Sequence, residues 1–172
     1  YGVPPMHLSR GDAQHALNTA PHRLPLRVDL CGQEQFYLEG QISYALPQDD
    51  GGLVVHCSTQ HPSEMQQMVA HALGLSANEV RVECRRMGGG FGGKESQSAL
   101  FACVAALAAR ALNRPVKLRP DRDDDFLITG RRHGFEFDWE AGFDDAGRVL
   151  GLDVTMLGHA GHSADLSPPV MT

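Results

Sequence analysis

A chain of 172 residues, 42% hydrophobic and 21% charged, has the composition of a folded globular protein, enough for one domain or a piece of a larger one. Its net charge of −6 argues against a nucleic-acid surface. No apolar run approaches the roughly 18 residues of a membrane span, and Tyr1 to Arg10 lacks the charged-then-apolar build of a signal peptide. The chain opens on Tyr rather than Met, which suggests a start inside a longer gene product.

The first expected element is a short helix over Ala13 to Thr19, with Asp12 placed to cap it and Pro21 to end it. Leu24 to Leu30 alternates apolar and polar residues and predicts a strand. Gln35 to Leu46, rich in aromatic and β-branched residues, reads as a second strand. A turn at Gln48 to Gly52 leads to a third over Leu53 to Thr59. A helix should follow from Pro62, with Glu64 in its first turn, Met65, Met68, Val69 and Leu73 on one apolar face, and Gly74 as its stop. Val80 to Cys84 predicts a short strand and Glu95 to Leu112 a long Ala-rich helix, apolar nearly all round and therefore buried. Val116 to Leu118 reads as a strand, Asp121 to Asp125 as a solvated helix start, and Phe135 to Phe143 with Val149 to Leu157 as a hairpin. The tail from Gly158 shows no periodicity. The mixture gives an α+β (mixed α/β) class, with a mixed sheet and two main helices in one unit spanning 1–172.

Cys31, Cys57, Cys84 and Cys103 are widely spread, without a CxxC pair. Neither a zinc site nor a disulfide scaffold is built that way. Free thiols in a reducing compartment fit better, which points to the cytoplasm.

The most informative segment is Met87-Gly88-Gly89-Gly90-Phe91-Gly92-Gly93-Lys94-Glu95. Its glycines permit positive φ and let a ligand come close to backbone N–H groups, and a following helix N-terminus would add donors for an anion. Gly88, Gly90 and Gly93 fit a dinucleotide fingerprint, but no acidic residue stands about 20 positions on. Gly88, Gly93 and Lys94 fit a P-loop, but Glu95 replaces the hydroxyl that holds magnesium and would repel phosphate. A plain strand-to-helix turn needs one or two glycines, not five.

The same segment resembles the cofactor loop of the xanthine dehydrogenase and aldehyde oxidase family of molybdenum hydroxylases. Gly32-Gln33-Glu34-Gln35-Phe36-Tyr37-Leu38-Glu39 is similar to that family's GQEHFYLE segment, with Gln35 in place of His. Ser58-Thr59-Gln60 is similar to its STQ segment, and Ile128-Thr129-Gly130-Arg131-Arg132-His133 to its TGxRH stretch. The four motifs occur in the family's order, and the resemblance runs from about Arg10 to Leu157.

The resemblance implies part of a larger molybdopterin-binding domain, whose metal is held by pterin sulfurs and not by side chains. It implies that Gln60 hydrogen-bonds an oxo ligand on molybdenum, that Gly90, Phe91 and Gly92 form the cofactor loop, with the Phe91 and Gly92 N–H groups against the cofactor, and that Glu95 faces the substrate. An acid at the Glu95 position goes with purine oxidation in the family and an apolar residue with aldehyde oxidation. The implied substrates are therefore hypoxanthine and xanthine. Structural readings stand beside these: Gln60 as a polar strand end, Phe91 as a core aromatic, Glu95 as a helix N-terminal acid. His159 and His162 read as loop residues, and Arg85 and Arg86 as solvent-facing or locally paired.

The family's arginine in an FRGFGGPQ-like loop and its late glutamate base do not occur before Thr172. The expectation is a front piece of the molybdenum subunit, inactive alone. FAD and iron–sulfur clusters would belong to a partner subunit or domain of the complete, oligomeric enzyme, with no nucleic acid or membrane involved. The alternatives are an aldehyde-oxidising member of the same family and a nucleotide-phosphate-binding module.

Overall fold

The computed structural model describes residues 4–161 and 163–171. They divide into two compact units, one comprising 4–33, 133–161 and 163–171, the other 34–132.

The first unit begins with helix α1 (Ala13–Thr19), whose cap is the expected one: the Asp12 side chain accepts from His15 N. Strand β1 (His22–Leu30) pairs antiparallel with β6 (Gly134–Phe143), which pairs antiparallel with β7 (Val149–His159). Glycines in β6 and β7 let α1 approach the sheet. A Cβ on Gly142 would lie 2.8 Å from Ala20 Cβ, and one on Gly151 2.9 Å from Ala16 Cβ. A short helix, α5 (Ser167–Val170), lies in the tail that lacked periodicity. His133, just before β6, shares a 2.7 Å hydrogen bond with Ser167 Oγ.

The second unit is a four-stranded mixed sheet in the order β4-β3-β2-β5, formed by β2 (Ser43–Pro47), β3 (Leu53–Cys57), β4 (Val80–Glu83) and β5 (Val116–Leu118). Only the β3–β4 pair is parallel, and the connection between them carries helix α2 (Pro62–Leu73). Gly74 ends α2 in the left-handed conformation at φ +63°, with its N–H on the Ala70 and His71 carbonyls. Helix α3 (Ser98–Leu112) packs on the sheet through Ala99, Ala102, Ala105, Ala106 and Ala109, small residues that let the helix come close. Met65, Val69, Val55, Leu53 and Val80 complete this core. A fourth helix, α4 (Arg122–Ile128), is capped by Asp121, whose side chain accepts from Asp124 N.

Three expectations need correction. Residues 35–42 are not a strand. Their backbone bonds go to the glycine loop and to a carboxylate instead of a ladder: Glu39 N donates to Gly88 O (3.1 Å) and Gln41 N to Asp125 Oδ2 (3.0 Å). Helix α3 starts at Ser98, not Glu95, because residues 91–97 form turns. It is not buried all round either: Leu100, Val104 and Leu107 lie on an exposed face opposite the alanines. All four cysteines are free; Cys57 is buried, Cys84 and Cys103 half-buried, and Cys31 exposed. Among the described residues no helix is long and apolar enough to cross a membrane.

Candidate functional site

The glycine loop follows β4 and is shaped by three demands on φ. Gly89 sits at +97°, Phe91 at +54° and Gly92 at +87°. A non-glycine residue in this region costs of order 1–3 kcal/mol and persists only where its surroundings impose it. Phe91 is 62% exposed, so it is not a core aromatic. Its N–H has no hydrogen-bond partner among the described residues.

Gln60 leaves the end of β3 and turns its carboxamide into the loop. Its Oε1 accepts from Gly92 N (3.0 Å) and Lys94 N (3.2 Å), and its own N–H donates to Lys94 O (2.8 Å). Two backbone donors converge on one side-chain atom, and only the oxygen can accept both. The amide orientation is thus fixed, and the NH2 group points away from those donors. A Cβ on Gly90 would collide with Gln60 Oε1, so this glycine makes room for the carboxamide. Of the two amides that the family resemblance assigns to the cofactor, the Gly92 N–H is taken by Gln60, and the Phe91 N–H is free of protein partners among the described residues.

Beneath the loop lies a buried polar network. The Lys94 side chain is 0% exposed, and its ammonium donates to Glu39 O (2.7 Å), Ser58 Oγ (2.8 Å) and Glu39 Oε2 (3.3 Å), 4.7 Å from the Tyr37 ring centroid. Burial pulls the ammonium's pKa below its ordinary value against the pull of Glu39. At Glu39 burial acts upward, but the Gly88 N–H, the Ser58 hydroxyl and Lys94 outweigh it, and the carboxyl lies below its ordinary range. Tyr37 donates to Asp125 Oδ1 (2.7 Å), and burial together with that bond pushes its pKa up to about 12. Gln41 Nε2 bridges the Tyr37 hydroxyl and Gly93 O, both at 3.0 Å.

Glu95 follows directly. It is half-buried, and its carboxylate makes no hydrogen bond or ion pair with any described residue. It stands beside the loop, 3.8 Å from where a Cβ on Gly92 would be. It precedes α3 by three residues, so it is not a first-turn helix acid.

Sequence reasoning missed the network. Sequence pattern singles out Lys94 as a P-loop lysine, and its inward course removes the charge that reading needs. The expected helix N-terminus is also absent from the loop, since α3 starts five residues after Gly93. Asp125, read as solvated, is 1% exposed beneath Tyr37, while Asp121, Asp123 and Asp124 are exposed as expected. Arg85 pairs with Glu83 (3.2 Å). His159 ends β7 and meets Glu136 at 3.0 Å, whereas His162 lies outside the described residues.

The profile of the molybdopterin cofactor-binding domain matches residues 2–172. The chain belongs to this family. It is 44% identical over 161 residues to a xanthine dehydrogenase of Calliphora vicina, a match covering 94% of this chain and 12% of that protein. With a xanthine dehydrogenase of Oryza sativa subsp. japonica it shares 46% identity over 146 residues, 84% of this chain and 11% of the relative. The chain thus spans about an eighth or less of these relatives. Its fold matches the aldehyde oxidoreductase from Desulfovibrio gigas with a TM-score of 0.75 at 24% identity, over 86% of this chain and 16% of that one. Quinoline 2-oxidoreductase from Pseudomonas putida 86 gives 0.74 at 24% identity, over 86% and 19%.

The loop suits the family's cofactor. Among the described residues no group of three His, Cys, Asp or Glu side chains could hold a metal ion. Gly92 has no side chain, and among the described residues only Glu95 Oε1, at 3.8 Å, would come near an added Cβ. The Phe91 N–H, without a partner among the described residues, and the Gln60 NH2, turned away from the Gly92 and Lys94 amides, are neutral donors suited to oxygen-rich ligand atoms.

Proposed function

We propose that this chain forms the glycine-loop wall of the molybdenum site in a xanthine dehydrogenase that oxidises hypoxanthine and xanthine. The observation that carries the reading is Glu95, a half-buried carboxylate without a partner among the described residues, next to a loop whose donors suit the cofactor. The bound cofactor supplies the redox centre at which a substrate carbon is hydroxylated. The residues that would hold it are Gln60 through its NH2 group, Phe91 through its N–H and Gly92 through the room it leaves, with Gly90 acting through the space it gives the Gln60 carboxamide.

Glu95 accepts hydrogen bonds from purine ring N–H groups and orients the ring, and its charge favours the electron redistribution that develops during attack on the ring. Iron–sulfur clusters and a flavin would belong to other parts of the complete oligomer and would supply its electron acceptors, and this chain alone does not turn over purines. Four unbridged cysteines suit the cytoplasm.

The test is Glu95→Val in the complete enzyme. Purine kcat/KM should fall by about 100-fold or more, the scale of losing one positioned electrostatic contact, while aldehyde oxidation persists. Purine turnover within a few-fold of the unsubstituted enzyme would favour the aldehyde-oxidising reading.

A further inference from the structure

A fully buried lysine calls for a reason, since taking an ammonium out of water is costly unless its surroundings compensate. Lys94 meets three oxygens within 3.3 Å, yet two apolar residues could fill the same volume without that cost. What the charged residue adds is a fixed position for its own backbone. The ammonium joins the Glu39 segment to the Ser58 hydroxyl, two residues before Gln60. Glu39 also accepts from Gly88 N (2.9 Å) and Ser58 Oγ (2.7 Å), so one carboxylate ties down the start of the glycine loop while the lysine ties down its end. The backbone of the same lysine then clamps Gln60 twice. Its carbonyl takes the Gln60 N–H at 2.8 Å and its N–H reaches Gln60 Oε1 at 3.2 Å. Thr59 Oγ1 adds a third tie to the Lys94 carbonyl at 3.2 Å.

We propose that Lys94, anchored by Glu39 and Ser58, is a positioning residue: its buried side chain holds its backbone where it orients the Gln60 carboxamide, and thereby aims the Gln60 NH2 donor into the site. This rests on the role proposed above for Gln60. Lys94 itself touches neither substrate nor cofactor. The chain from ammonium to backbone to carboxamide runs within one residue and one pair of hydrogen bonds. A small displacement of Lys94 therefore reaches Gln60 directly, without passing through a long path of packed side chains.

The experiment compares Lys94→Met, Gln60→Ala and the double variant in the complete enzyme. One measurement is hydrogen exchange of cofactor-free protein, read by mass spectrometry over residues 88–97. The other is steady-state turnover of loaded protein at matched molybdenum content. Lys94→Met should expose the Gly92 and Lys94 amides, adding about two fast-exchanging sites per molecule, since these are the two amides Gln60 accepts. It should lower kcat by about 10–100-fold, the scale expected for a misplaced group, with KM within about twofold because Glu95 is untouched. The double variant should be no slower than Gln60→Ala alone, because the two act as one unit.

Unchanged exchange and kcat in Lys94→Met would overturn the proposal, as would losses that multiply in the double variant. If Gln60→Ala itself leaves turnover unchanged, the role of Gln60 falls, and this inference falls with it. Should Lys94→Met not accumulate as folded protein, Ser58→Ala removes a single acceptor of the ammonium. It should move exchange and kcat in the same direction by a smaller factor, and no movement in either would overturn the proposal.

Discussion

The two compact units are stabilised by different means. In the unit of residues 34–132, α2 and α3 close over the sheet, and nearly all the fully buried apolar side chains among the described residues lie there. In the other unit Leu17 is the one large apolar residue in that class, while Leu24, Leu26, Leu152, Val154 and Met156 are 42–52% exposed. Its strands are linked by ladder hydrogen bonds and by exposed ion pairs such as Arg27–Glu136 at 2.9 Å. The difference teaches where precision resides. The unit with a closed core offers the low-dielectric interior in which the buried Lys94, Tyr37 and Asp125, with the half-buried Glu39, can hold a loop in one shape.

Substitutions that remove buried contacts should therefore act unequally on the two units. The largest stability effect is expected for Met65→Ala, a 0% exposed core residue, at about 2–5 kcal/mol in chemical denaturation of the chain. Leu152→Ala, 47% exposed in β7, should stay within about 0.5 kcal/mol. Equal losses at the two sites would break the contrast.

The pH dependence should sharpen it. Tyr37 titrates at about 12 in the folded chain against an ordinary 10.0, so the unfolded chain loses this proton first. Stability contributed by Tyr37 is complete below pH 10 and is lost as pH rises from 10 towards 12. Glu39 works at the other end: its folded pKa lies below the ordinary 4.5, so its contribution is present above 4.5 and is lost as pH falls through the folded value. Ultraviolet titration should show one of the three tyrosines ionising near 12. Tyr37→Phe should remove that step and flatten the alkaline loss. The smallest effect is expected for Arg27→Ala, about 0.5 kcal/mol or less and weaker still at high salt, because the pair is solvated.

Much of this architecture was legible because its signals are local. Asp12 before α1, Pro62 and Gly74 bracketing α2, and the turn at residues 144–147 between β6 and β7 each act within a few residues, and the structure follows them. Residues 35–42 misled because aromatic and β-branched content also suits an irregular segment whose side chains are buried one at a time. Tyr37 is buried while Phe36, at φ +51°, is 69% exposed. The α3 alanines read as a buried helix, but their periodicity does not say whether Leu100 and Val104 on the other face are covered.

The positive φ values of the glycine loop were legible from its glycines, and the motifs that resemble the family contain Gln60 and Glu95, which the structure places against and beside that loop. The Lys94 network was not legible. Its partners Glu39 and Ser58 lie 55 and 36 positions away, and no short-range pattern reports a hydrogen bond across that separation.

The most direct measurement of the central claim is metal analysis together with xanthine turnover on the complete native protein that carries this chain. The account predicts about one molybdenum per active site and formation of urate from xanthine. A purified native protein without molybdenum and without purine oxidation, its glycine loop intact, would contradict it.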